Sequence, residues 1–286
     1  MTTTPVRCPI CQSPMQLHQA SNGYYCDNKH RLDKTEQGFY PCFINNKNKP
    51  KPMTRAQMRA KQFLLASGLY QGLVDKLADV IRPMHKHAAD EKQPLNWLDY
   101  QCGEGFYLRE LSKVIGFNSG DESQIGAVNC YGFSDAENAL FAASKQQTPA
   151  QLFNGSAKGL PFNDESFDLI TVLDSQLKGK ECQRVLKADG RMLLVVPTPE
   201  HLLELRQLQQ GDVELKPTQL NLPSGLELVV DHSVQLVQDV SAEQAQSLYE
   251  QTSFGWRASK QAQKVTQFSP MKLTFAWQIL ELAKAQ

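Results

Sequence analysis

From residue 95 onward, short apolar runs alternate with amphipathic stretches, and glycine or polar residues punctuate the joins. Leu95-Asn-Trp-Leu-Asp99-Tyr100 predicts a buried strand, Gln101 to Gly105 a sharp loop, and Phe106 to Ile115 a helix. Further strands are expected at 127–133, Gln151–Asn154, 166–173 and 191–197, with helices at 136–144 and 179–186. Strands alternating with helices imply an α/β fold with a mostly parallel sheet. Ligands of such sheets sit beyond the carboxyl ends of the strands. Ahead of this pattern the chain reads differently. Residues 45–53 are polar and punctuated by proline, as in a linker. Residues 54–66 predict a helix with Met58, Phe63, Leu64 and Leu65 on its apolar face, and 73–81 predict a second amphipathic helix.

The length of 286 residues suits about two domains. An apolar share of 41% beside 21% charged residues is that of a globular protein, which excludes a disordered tail, a collagen or a small disulfide scaffold. No apolar run is long enough to span a membrane. The opening Met-Thr-Thr-Thr-Pro lacks a basic region followed by an apolar one, so no membrane partner and a cytoplasmic location are expected. Seven cysteines without such a leader argue against a disulfide framework.

A net charge of zero hides an asymmetry. Residues 1–74 hold 10 Lys/Arg and 3 Asp/Glu, leaving 20 and 27 for the rest of the chain. The front end is therefore basic, and Gln37 to Val74 contains no acid at all, with Arg55, Arg59 and Lys61 in its helical part. Such a front end suits a polyanion partner through phosphate contacts, or else a solvated linker and helix face.

The same region carries Cys8-Pro-Ile-Cys11 and Cys26-Asp-Asn-Lys-His30. The C-x2-C turn brings two thiolates to one tetrahedral ion, and the Cys/His pair closes the site from a second turn. A site with all four positions filled by protein is structural, and the metal supplies folding energy that so short a segment cannot gain by burial. Cys42 is a substitute ligand with poorer spacing, and His18 is expected at the surface.

Asp99-x-x-x-Gly103-x-Gly105 differs from the dinucleotide fingerprint. Together with Leu160-Pro-Phe, Phe167-Asp168 and Arg184-Val-Leu-Lys-Ala-Asp-Gly190 it is similar to the class I S-adenosylmethionine-dependent methyltransferases. When Gly68-Leu-Tyr70, Thr198-Pro-Glu-His201-Leu-Leu and Thr252-Ser-Phe-Gly-Trp256-Arg257-Ala are included, almost the whole chain resembles the bacterial 23S ribosomal RNA (guanine-N1)-methyltransferase family of RlmA type. The resemblance implies a Rossmann-like methyltransferase sheet preceded by a small zinc-binding domain. It implies Zn2+ on Cys8, Cys11, Cys26 and His30, and S-adenosylmethionine contacts at Tyr70, Gly103, Glu104 and His201. It further implies methyl transfer to a guanine N1 in a 23S rRNA hairpin, by a chain that works as a homodimer. The corresponding division is a zinc domain at 1–44, a basic linker and helix at 45–66, and the methyltransferase domain at 67–286.

Each of these positions has a plainer role as well. Tyr70 suits a core aromatic, Gly103 and Glu104 an ordinary turn, His201 a capping residue, and Trp256-Arg257 the packing of a sheet edge. Asp174, just after a strand, suits either target binding or a turn cap. Two positions depart from the family pattern. Gln101 stands where the first glycine of the loop is expected, and Ser134 where a strand-end acid bonds the cofactor ribose. Those departures leave open an RNA-binding relative with weak or absent catalysis. A small-molecule methyltransferase is the third reading.

Overall fold

A computed structural model describes residues 4–18, 20–43, 54–116, 127–173, 175–216, 222–253, 255 and 267–285. The linker expected at 45–53, Asp174 and the Trp256-Arg257 pair lie outside the described residues. A three-stranded antiparallel sheet is made of β1 (Gln16–His18), β2 (Gly23–Tyr25) and β3 (Arg31–Leu32). The remaining strands are β4 (Tyr40–Pro41), β5 (Leu95–Tyr100), β6 (Val128–Ser134), β7 (Gln151–Asn154), β8 (Phe167–Val172), β9 (Leu186–Pro197), β10 (Leu226–Val240) and β11 (Met271–Lys284). They form one sheet in the order β10-β11-β9-β8-β5-β6-β7-β4. The helices are α1 (Arg55–Ala66), α2 (Gln71–Asp90), α3 (Phe106–Ile115), α4 (Glu137–Lys145), α5 (Glu181–Val185), α6 (Leu203–Gln210) and α7 (Ala242–Gln251).

From β9 across to β4 every neighbouring pair is parallel, and β11 runs antiparallel to both β9 and β10. The chain starts at β5 and moves outward through β6 and β7. It then returns to the other side of β5 with β8. The order of winding therefore reverses between β5 and β8, and a crevice opens there beyond the strand ends.

Residues of opposite parity face opposite layers, as the pleat requires. Trp97, Leu169, Leu193 and Ile279 pack in one core with residues of α2, α3 and α7. Leu98, Ile170, Leu194 and Leu280 pack in the other, together with Val6, Met15, Tyr24, Leu32 and Tyr40. The cysteine-bearing front segment thus covers one face of the sheet. Tyr40 stacks on Phe153 at 5.0 Å, and Tyr40 and Pro41 pair with Phe153 and Asn154 at the carboxyl end of β7.

Three expected boundaries move. α2 continues past Pro83 to Asp90, because the residues after the proline are good helix formers. The helix expected at 179–186 shrinks to α5. The strand after it begins at Leu186 rather than 191: Leu186 pairs with Phe167, and the register then shifts so that Arg191 meets Leu169. α1 starts in a capping box, with Thr54 Oγ1 accepting from Gln57 N at 3.2 Å and Gln57 Oε1 accepting from Thr54 N at 2.9 Å. Among the described residues no helix is long and apolar enough to cross a membrane.

Candidate cofactor site and metal centre

The loop after β5 is built for close approach. Cys102 N donates to Phe133 O and Gly105 N to Cys102 O, both at 2.9 Å, which folds the loop back over the sheet edge. Gly103 (φ +56°) and Gly105 (φ +72°) take left-handed conformations that a side chain would strain. Above Gly103 the nearest atom to an added Cβ is Lys61 Nζ, at 3.9 Å, so the main chain there faces open space. Gly105 caps α3, whose first backbone N–H groups point toward the loop. Arg109 ties the loop down from within α3, donating to Glu104 O and, at 3.0 Å, to Thr148 Oγ1. Glu104 itself is buried. Under the loop, Trp97 Nε1 donates to Thr171 Oγ1 at 3.0 Å, and that hydroxyl donates to Asp99 Oδ1 at 2.9 Å. The buried acid at the end of β5 is thereby oriented from the neighbouring strand.

Tyr70 and His201 come from distant parts of the chain and meet the same two rings. Tyr70, at the start of α2, lies 6.2 Å from Phe275 and 6.1 Å from Trp277 between ring centroids. His201 lies 6.0 Å and 4.8 Å from them. Trp277 pairs with Pro197, so this aromatic floor is level with the carboxyl end of β9. Burial pushes the His201 imidazole down to about 4. Ala276 N donates to its Nδ1 at 3.1 Å, which leaves the proton of the neutral ring on Nε2. The four residues expected at the cofactor therefore form two pairs at one end of the sheet: Gly103 with Glu104, and Tyr70 with His201. Between the helix and the loop, Lys61, Leu65, Asp99, Gln101, Glu104 and Leu173 line a recess of ≈ 10 Å³.

The two departures noted in the sequence prove to touch. Gln101 has φ +59°, in the left-handed region that favours glycine. Its Oε1 accepts from Asp135 N at 3.2 Å and from Ser134 Oγ at 3.4 Å. This contact, the aromatic floor of Phe275 and Trp277, and the placement of Lys61 over Gly103 were not expected from the sequence. The apolar content of the run 273–283 was the one available signal for the floor.

The front segment gathers Cys8, Cys11, Cys26 and His30. His30 Nδ1 lies 3.6 Å from Cys8 Sγ, 3.3 Å from Cys11 Sγ and 3.6 Å from Cys26 Sγ; Cys11 Sγ and Cys26 Sγ are 3.7 Å apart. Four ligands held 2.0–2.3 Å from a tetrahedral ion stand about 3.3–3.8 Å from one another. The donor set and its spacing therefore fit zinc. No disulfide links these cysteines. Two tight turns deliver the ligands, closed by Gln12 N to Cys8 O and Lys29 N to Cys26 O, both 2.9 Å. Hydrogen bonds from Asn28 and Ser13 hold the Cys11 thiol down at about 5, which favours a thiolate. Cys42 stays apart, with its Sγ directed to Tyr40 O at 3.7 Å, and exposed His18 bonds Ser21 Oγ.

Strand order, glycine loop and oriented acid fit a Rossmann-like methyltransferase fold, and the family model described as "Methyltransferase domain" matches residues 98–194. More particularly, the chain has homologues named for rRNA methylation. It is 28% identical over 208 residues to YxjB of Bacillus subtilis, provisionally named a 23S rRNA (guanine-N(1)-)-methyltransferase; the match covers 72% of this chain and 69% of that one. It is 27% identical over 209 residues to the 23S rRNA (guanine(748)-N(1))-methyltransferase of Streptomyces fradiae, covering 70% and 66%. The demethylmenaquinone methyltransferase of Staphylococcus aureus is 33% identical, over 39% of this chain and 46% of that one.

Proposed function

We propose that this chain transfers a methyl group from S-adenosylmethionine to N1 of a guanine in 23S ribosomal RNA, with zinc holding its front segment in shape. The observation that carries the reading is the Cys8, Cys11, Cys26 and His30 cluster, seated on the same sheet as the methyltransferase loop. A structural metal site ahead of this domain suits a segment that reads a large substrate. The excess of basic residues over acids before residue 75 supports a polyanion. The relatives named for 23S rRNA match about 70% of the chain, whereas the demethylmenaquinone enzyme matches 39%.

When bound, S-adenosylmethionine supplies a sulfonium-activated methyl group for in-line displacement. Gly103 and Gly105 let the main chain approach the cofactor at the start of α3. Glu104 and Tyr70 would contact it, and the neutral His201 would offer an Nε2–H donor without adding a positive charge to the site. The aromatic floor under Tyr70 and His201 excludes water from that end. Guanine N1 carries a proton at neutral pH, so transfer needs an acceptor for it or stabilisation of charge at O6. A base in a hairpin must also leave its stack to meet the methyl group.

A second reading, an RNA-binding relative with weak cofactor affinity, is favoured by the Gln101 amide at the end of β6. One assay separates the two. Zinc-loaded protein is incubated with 23S rRNA and methyl-labelled S-adenosylmethionine, and the product is read by primer extension, which stops at a guanine blocked on its pairing edge. Label together with a stop at a guanine supports the enzyme. Salt-sensitive RNA binding without label leaves the second reading, and label on neither RNA nor stop overturns the first.

A further inference from the structure

Gln101 and Ser134 are neighbours by construction. Tyr100 and Phe133 are partners in the parallel register of β5 and β6, so the next residue of each strand emerges side by side. The left-handed backbone at Gln101 keeps the loop on the path of a glycine, and the cost of placing a side chain there is retained only where the surroundings hold it. What holds it is the end of β6. Gln101 Oε1 accepts from Asp135 N and from Ser134 Oγ, and Ser134 Oγ in turn accepts from Ala136 N at 3.1 Å. Ser134 is 2% exposed, so its hydroxyl has few other directions to turn.

The chemistry makes the two residues a matched pair. An amide oxygen needs donors, and a serine hydroxyl is one. A carboxylate at 134 accepts only, and would face the amide oxygen with its own lone pairs. A strand-end acid and the Gln101 amide in this pose are therefore mutually exclusive. The amide oxygen now occupies the end of β6 from which an acid would receive the hydroxyls of a ribose.

We infer that Gln101 and Ser134 fill the ribose subsite of the cofactor site from within, which makes Gln101 the residue that sets affinity for a nucleoside. This rests on the cofactor reading given above. A nucleoside entering the site has to displace the amide before its ribose can be bonded. An acid at 134 gains nothing while Gln101 remains, because the amide turns its N–H toward the new carboxylate.

Calorimetric titration of S-adenosylhomocysteine into the full-length, zinc-loaded chain tests this with four proteins: wild type, Gln101→Gly, Ser134→Asp and the double variant. Gln101→Gly is expected to tighten binding about tenfold, the worth of hydrogen bonds no longer displaced. Ser134→Asp alone leaves affinity near that of wild type. The double variant tightens it by about a hundredfold, since charge-assisted bonds are the stronger ones, so the two changes are not additive. Gln101→Gly also melts no lower than wild type, because glycine is at ease at φ +59°. Equal or weaker binding by Gln101→Gly, with wild type binding measurably, overturns the inference and leaves the cofactor reading standing. Absence of binding by all four proteins at millimolar ligand overturns both.

Discussion

Gly105→Ala is a test of how the cofactor loop is held. An alanine at φ +72° carries left-handed strain of about 1–2 kcal/mol. Its Cβ would also stand 2.6 Å from Thr148 Oγ1 and 2.7 Å from Thr148 Cγ2, so Thr148 has to move. That side chain is not free to do so. Its hydroxyl donates to Ala143 O at 2.8 Å and accepts from Arg109 Nη1 at 3.0 Å. Losing the first costs about 0.5–1.5 kcal/mol, and losing the second, charged one about 1.5–3 kcal/mol. The total is about 3–6 kcal/mol in urea unfolding monitored at two wavelengths. In a Thr148→Ala background those bonds are already gone and only the residue-148 Cβ remains near the added methyl, at 3.2 Å, so adding Gly105→Ala costs mainly the strain, about 1–2 kcal/mol. The double-mutant cycle thus has a coupling energy of about 2–4 kcal/mol. An equal cost of Gly105→Ala in both backgrounds would refute the steric account. Because Arg109 also holds the Glu104 carbonyl, the same variant is expected to weaken cofactor binding.

Other outcomes follow from the site. The folded-state pKa of His201 lies near 4, below its ordinary 6.5, so the unfolded chain binds more protons between these values. Stability is therefore full above pH 6.5 and declines as pH falls toward 4, by about 3 kcal/mol; His201→Gln should remove that share of the acid sensitivity in unfolding curves taken every half pH unit. Cys26→Ser should abolish the bound zinc, of which about one equivalent per chain is expected by elemental analysis. It should also lower the melting temperature, since Cys26 shares its core with Tyr24 and Leu32; an unchanged zinc content would remove the metal reading. Chelation of the wild type at pH 7 should reproduce the Cys26→Ser melting behaviour.

The sequence was legible where structure is local. β5, its loop and α3 fall where the apolar run, the glycines and the amphipathic stretch set them, because each signal lies within a few residues of what it specifies. The same holds for the cysteine and histidine turns, whose geometry is fixed by two short spacings. β10 and β11 were not legible. β11 is covered on both faces over much of its length, so it lacks the clean alternation of a half-buried strand. It pairs with β9, some eighty positions earlier, and nothing local specifies that. The Gln101–Ser134 contact was hidden for the same reason. Each position stood out alone as a departure, but only the parallel register of β5 and β6 places them side by side.

The pairing of Tyr40 and Pro41 with β7 has a consequence for how the chain is made. The partner residues are Phe153 and Asn154, which leave the ribosome more than a hundred residues later. At about 5–20 residues per second, the front segment waits many seconds before its place on the sheet exists. Its two metal turns are short-range and can close during that wait, so the segment arrives preassembled and docks late. Docking also seals the flank of β7: the added strand is two residues long and ends in a proline, which offers no N–H to a further strand. A chain shortened to begin at α1 would lack that seal, and its exposed β7 edge would invite pairing between molecules.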